Sequence, residues 1–101
     1  MSTRRPAAAA TDHLFRYRGI VVTFRATALG GGVRVEVIGL DPVAIDEASA
    51  RLARACAETA AEVRHLSPGE QCRRLEVTGA SASAVRAKFA PVAAELEGGL
   101  A

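Results

Sequence analysis

A chain of 101 residues, half of them apolar and 24% charged, has the length and composition of one globular domain and is too apolar to remain unfolded. It has no apolar run near the ~20 residues that span a bilayer and no apolar leader at its N-terminus, so the expected setting is the cytoplasm, with no membrane partner and with Cys56 and Cys72 as free thiols. A net charge of +2, from 13 Lys+Arg against 11 Asp+Glu, is weak for a nucleic-acid footprint, and three Phe, one Tyr and no Trp leave few rings for stacking or for anchoring an interface.

Residues 1–12 carry Arg4, Arg5 and Pro6 but no large apolar residue beyond Met1. They are expected to form a flexible basic arm ahead of a single domain over 13–101. The first firm element is a strand over Ile20–Leu29, dense in β-branched residues. Alternation puts Ile20, Val22, Phe24, Ala26 and Ala28 on the core face and Thr23, Arg25 and Thr27 on the other. If this strand starts earlier, near Leu14, then Phe15 and Tyr17 join Thr23 and Arg25 unless a bulge shifts the phase. Gly30–Gly31–Gly32 separates it from a second strand over Val33–Leu40 and is expected to be a hairpin turn. A phosphate loop would need a following helix and a motif such as GxGxxG, and neither is present.

Asp41–Pro42 marks a helix start, with Asp41 as cap and Pro42 in the first position. Asp46 and Glu47 follow near the positive end of the helix dipole. The helix is expected to run over Pro42–Glu62, with a stripe of Ile45, Ala48, Leu52, Cys56, Thr59 and Val63. Glu47–Arg51 and Arg54–Glu58 have the spacing of solvent-side ion pairs. A loop over His65–Gln71 turns at Ser67–Pro68–Gly69. The third strand spans Cys72–Thr78 and ends at Gly79. A second helix, capped by Ser81 or Ser83, carries Val85, Phe89, Val92 and Leu96 inward, and Pro91 should kink it or split it after Ala90.

The expected fold is therefore a two-layer α+β sandwich in β-β-α-β-α order. Its three-stranded mixed sheet has two helices on one face and a right-handed crossover wherever strands are parallel. The other face is left open and carries Thr23, Arg25, Thr27, Arg34, Glu36, Arg74, Glu76 and Thr78.

No motif compels a chemistry. Cys56, mid-helix on the core face, is expected to be packing rather than a nucleophile. Cys72 beside Arg73 and Arg74, with His65 upstream, is the best enzymatic pairing, but it lacks an orienting third group or an oxyanion motif. His13, His65, Cys56 and Cys72 match no zinc spacing, so neither metal nor cofactor is expected.

The leading expectation is a module for protein interaction or homo-oligomerisation without catalytic chemistry. Its partner is itself, as a homodimer, or another protein. Contacts would come from Leu29, Ile38 and Leu40, which share the parity of the polar face, and from Leu100. One alternative is a nucleic-acid-binding module using Arg16, Tyr17, Arg18, Arg25, Arg34 and Arg74, with Tyr17 and Phe15 as stacking platforms. Another is a small enzyme or enzyme subunit using Cys72 and His65.

Overall fold

The computed structural model describes residues 10–66, 69 and 71–99. The class is α+β, but the sheet has five strands rather than three and is antiparallel throughout. In chain order the elements are β1 (Ala10–Tyr17), β2 (Ile20–Leu29), β3 (Gly32–Ile38), α1 (Pro42–Ala57), β4 (Glu62–His65), β5 (Cys72–Thr78), α2 (Ala82–Arg86) and α3 (Phe89–Gly99). The strands lie in the order β1-β2-β3-β5-β4. Since no pair is parallel, the expected parallel crossover does not occur.

The first added strand comes from a two-residue turn. Arg18 and Gly19 both have positive φ, 56° and 83°, and join the facing residues Tyr17 and Ile20. Paired positive φ values match the right-handed twist of a tight hairpin. The usual signature of this turn is Asn-Gly, and arginine in the first position conceals it. Residues directly opposite in an antiparallel pair share a face. Phe15 opposite Val22 and Tyr17 opposite Ile20 therefore enter the core side, not the open face expected for a continuous strand. β1 also begins at Ala10, within the segment assigned to the basic arm; the remainder of that arm, residues 1–9, lies outside the described residues.

The second added strand shortens the first helix. Asp41 caps α1 as expected, its Oδ1 accepting from the Val43 N–H at 3.0 Å with Pro42 in the first turn. The helix ends at Ala57, where the Thr59 and Ala60 N–H groups both donate to the Cys56 carbonyl. The Ala61 N–H then donates to the Thr78 carbonyl at 2.8 Å, and Val63 sits opposite Val77. Thr59 and Val63 thus leave the helical stripe, and β4 takes the place of the expected last turn.

Pro91 does split the second helix, but earlier than expected. The break falls at Ala87–Lys88, and the Lys88 carbonyl accepts from the Val92 N–H at 3.1 Å. Pro91 then lies in the first turn of α3, where its missing N–H has no partner to lose. In a continuous helix it would have removed the bond to Ala87. Ser81 is the cap of α2, its hydroxyl accepting from the Ala84 N–H at 3.0 Å.

All helices pack on one sheet face. Phe24, Leu52, Leu75, Val22, Val35 and Ile45 are fully buried there. Phe15 packs against Phe24 and Phe24 against Phe89 with tilted rings, their centroids 4.8 and 5.4 Å apart. Ala44, Ala48 and Ala53 on α1 let the helix approach the sheet closely. No helix among the described residues is long and apolar enough to cross a membrane.

The hairpin at Gly30–Gly31 forms as expected, with Leu29 opposite Gly32. Among the described glycines, however, positive φ falls at Gly19 and Gly79, not at this tip. The glycine that matters here is Gly32, where a Cβ would run into the Val77 carbonyl of β5. A backbone carbonyl in a sheet cannot step aside. Gly32→Ala should therefore destabilise the fold by about 1–3 kcal/mol in urea unfolding. Gly31→Ala, whose Cβ would meet nothing within 4 Å, should cost far less; equal losses would refute the close-approach explanation.

Candidate functional site

With one face of the sheet covered by helices, the other is a broad surface built from alternate residues of all five strands. Register arranges it in rows across the strands. One row runs Leu14, Thr23, Ile38, Cys72 and is largely apolar. The next runs Asp12, Arg25, Glu36, Arg74 and alternates in sign. A third contains Thr27, Arg34, Glu76 and Arg64.

The alternating row is bound together by its own side chains. Arg25 grips Asp12 through two hydrogen bonds, Nε to Oδ1 at 2.9 Å and Nη2 to Oδ2 at 3.1 Å. Its Nη1 lies 3.9 Å from Glu36, and Arg74 approaches Glu36 at 3.6 Å from the other side. In the next row Arg64 lies 3.9 Å from Glu76. The hydrogen bonds from Arg25 hold the Asp12 carboxyl below the ordinary aspartate range, against an opposing push from burial.

The interaction residues expected from parity do not form one strip. Leu29 and Ile38 both belong to the open face, but Ile38 lies opposite Thr23 and Leu29 opposite Gly32. Thr23 and Leu29 are six residues apart on β2, so the two leucine and isoleucine positions are about 20 Å apart along the strands. Leu40 is exposed in the bend after β3, and Leu100 lies outside the described residues. Leu14 and Val21, 62% and 45% exposed, are the apolar residues that join Ile38 at its end of the sheet. Val21 has the open-face parity of Thr23 and Arg25 on β2, but the place of Leu14 becomes visible only once β1 is a separate strand, with Asp12, Leu14 and Arg16 pointing away from Phe15 and Tyr17.

The residues proposed for nucleic-acid contact separate in the same way. Tyr17 is buried on the helix side, and its hydroxyl donates to Glu47 Oε1 at 2.7 Å. This hydrogen bond, with burial adding to it, raises the Tyr17 pKa. Phe15 is in the core. Arg18 sits in the turn, 3.5 Å from Glu47, and the Arg16 N–H donates to Glu97 of α3 at 3.4 Å. Arg16, Arg25, Arg34 and Arg74 do share the open face: Arg25 and Arg74 lie beside carboxylates, Arg34 lies opposite Glu76, and Arg16 lies opposite Val21. Without Phe15 and Tyr17, neither of the expected stacking rings is on that surface.

The enzymatic pair is also divided. Cys72 lies opposite Ile38, on the parity of the open face, whereas His65 lies opposite Leu75, on the parity of the core. Cys56 is buried, which raises its thiol pKa. Among the described residues no group of three or more His, Cys, Asp or Glu is placed to hold a metal ion. A hollow of about 200 Å³ lies at the β2–β3 hairpin, and a groove of about 500 Å³ runs between α1 and the α2–α3 segment, beside Glu58, Lys88 and Glu95. Neither is lined by histidine or cysteine.

Asp46 and Glu47 act between elements rather than on the dipole of α1. Asp46 pairs with Arg73, which also donates to the carbonyls of Gly69 and Cys72, tying the start of β5 to the helix. Glu47 takes Tyr17 and Arg18. The expected pairs along α1 give way to others: Arg51 meets Glu95 of α3, and Glu58 lies 3.7 Å from Lys88.

Two pH dependences follow. The folded-state pKa of Asp12 lies below its unfolded value, so its pair with Arg25 stabilises fully above the unfolded value and is lost as pH falls through the lower folded one. Asp12→Asn should flatten that part of the acid limb in urea midpoints measured against pH. Tyr17 has the opposite sign: its contribution is intact below the ordinary tyrosine pKa and disappears as pH rises through the raised folded value. Tyr17→Phe should remove part of the alkaline limb and leave the share due to buried Cys56; an unchanged alkaline slope would rule out the Tyr17–Glu47 bond as its source.

No protein-family model matches this chain, and no curated protein or solved structure matches it either.

Proposed function

We propose that this protein is a non-catalytic interaction module that associates with itself through the open face of its sheet. The observation that carries this reading is the exposed apolar end of that face. Leu14 and Val21 are exposed beside half-buried Ile38, next to a row of charges that is compensated within the chain. Scattered apolar residues are ordinary on any surface. These lie on neighbouring strands and adjoin a row with no net charge, a combination suited to burial against another protein. Electrostatic pairing of Arg25 and Arg74 with carboxylates, and the withdrawal of Tyr17 and Phe15 into the core, weigh against phosphate and base recognition. The unpaired cysteines support a reducing compartment, the cytoplasm.

The test is solution mass by light scattering, with and without a mixed single-stranded oligonucleotide. The expected result is a dimer indifferent to the oligonucleotide and returned to monomer by Thr23→Arg, which places a charge in the middle of the apolar row. A monomer that forms a salt-sensitive complex with the oligonucleotide would replace this reading with the nucleic-acid one.

A further inference from the structure

The alternating row on the open face has a symmetry that bears on its partner. Across β1, β2, β3 and β5 it reads Asp12, Arg25, Glu36, Arg74, negative, positive, negative, positive. An alternating row of four charges changes sign when it is reversed. Two copies laid face to face, one reversed across the strands, therefore bring every charge opposite its complement.

From this pattern we infer that the occupant of the open face is a second copy of this chain, docked about a two-fold axis parallel to the strands and lying over the gap between β2 and β3. The inference rests on the interaction reading above and specifies its symmetry and facing residues. About this axis Arg25 faces the partner's Glu36, and Asp12 faces the partner's Arg74, each pair occurring twice. In the neighbouring row Thr23 faces the partner's Ile38, and Leu14 faces the partner's Cys72, so the apolar end closes on itself.

The other two-fold axis in the plane of the sheets, perpendicular to the strands and through this row, sets each charge against its own copy. Arg25 would then oppose Arg25 and Glu36 would oppose Glu36. Like charges brought together across an interface are unfavourable, so the charge pattern selects between the axes.

The reach is sufficient. Packed sheets lie about 10 Å apart, and neighbouring strands about 4.8 Å apart. Arg25 and Glu36 are then roughly 2.4 Å from the axis, and Asp12 and Arg74 roughly 7 Å. The ~30° rotation between packed sheets shifts the central pair by only about 1 Å and the outer pair by about 4 Å. The central pair is thus the most dependable reporter of the geometry.

The row is neutral as a whole, and each charge already has a partner within its own chain. Docking this row does not bury a lone charge, the arrangement that costs most. Such complementarity sets register and partner choice more than affinity. Four strands about 20 Å long give a footprint of roughly 19 by 20 Å, small beside a standard interface, so the dimer should dissociate on dilution.

The experiment is sedimentation velocity on the full chain over a wide range of concentration and ionic strength, with circular dichroism to establish folding. Wild-type protein should dimerise, with a Kd that rises with salt. Arg25→Glu and Glu36→Arg, each alone, set like charges across the axis and should raise Kd by about tenfold or more. Their equimolar mixture should restore association as a heterodimer, because Glu at position 25 of one chain then faces Glu36 of unmodified type no longer but Arg at position 36 of the other.

Those substitutions also disturb the pairs with Asp12 and Arg74, so a second pair covers loss of folding. Thr23→Glu and Ile38→Lys touch no ion pair; each alone should weaken the dimer, and mixing should restore it only if position 23 faces position 38 across the axis. A wild-type chain that stays monomeric throughout overturns both the interaction reading and this inference. A wild-type dimer that no variant weakens also overturns both, since the open face is then not the interface; weakened folded variants that mixing fails to restore overturn the inference alone.

Discussion

The reversal at Arg18–Gly19 decides which side of the sheet every residue of β1 meets. Both residues hold positive φ, and the turn contains only these two, so Tyr17 faces Ile20 directly and the pairing of the whole strand is set. A one-residue change of register would exchange the two faces. As it stands, Phe15 completes the aromatic contact with Phe24, and Tyr17 reaches Glu47 on α1. Asp12 and Leu14 are delivered to the opposite side. There Asp12 supplies the first charge of the alternating row, and Leu14 the first residue of the apolar one.

The two faces solve different problems. On the helix side, a core assembled largely from valine and alanine gains bulk from Phe15, Phe24, Phe89, Leu52 and Leu75. On the open side, neighbouring strands place arginine beside carboxylate. Surface pairs of this kind contribute little individually. Their effect is to offset part of the field of an arginine-rich surface, which lowers its attraction for phosphate and gives shape and apolar contact more weight in what binds.

Ties between elements hold the helix layer in place. Asp46 with Arg73, Glu47 with Tyr17 and Arg18, Arg51 with Glu95, and Glu58, at the C-cap, with Lys88 join α1 and its end to other parts of the chain. The acidic residues of α1 that read locally as partners of the dipole or of arginines one turn away are distributed instead to the sheet and to the α2–α3 segment. Local spacing reveals that such residues are on a helix surface but not which neighbour will lie beside it.

Local chemistry was enough to determine the strands at 20–29 and 72–78, the glycine hairpin, the Asp41–Pro42 helix start, a serine cap at Ser81 or Ser83 and the polar face of β2, β3 and β5. Each depends on side-chain period or on a capping atom within a few residues. Tertiary structure alone decided the rest. β1 depended on a turn whose first residue, Arg18, carries no common turn signature, and β4 on pairing with β5 that outweighed the last turn of a plausible helix. The antiparallel order, the division of Cys72 from His65, the burial of Tyr17 and the assembly of Asp12, Arg25, Glu36 and Arg74 into one row all require knowing which strands are neighbours. That is set by long-range pairing and packing, to which the period of a single strand is blind.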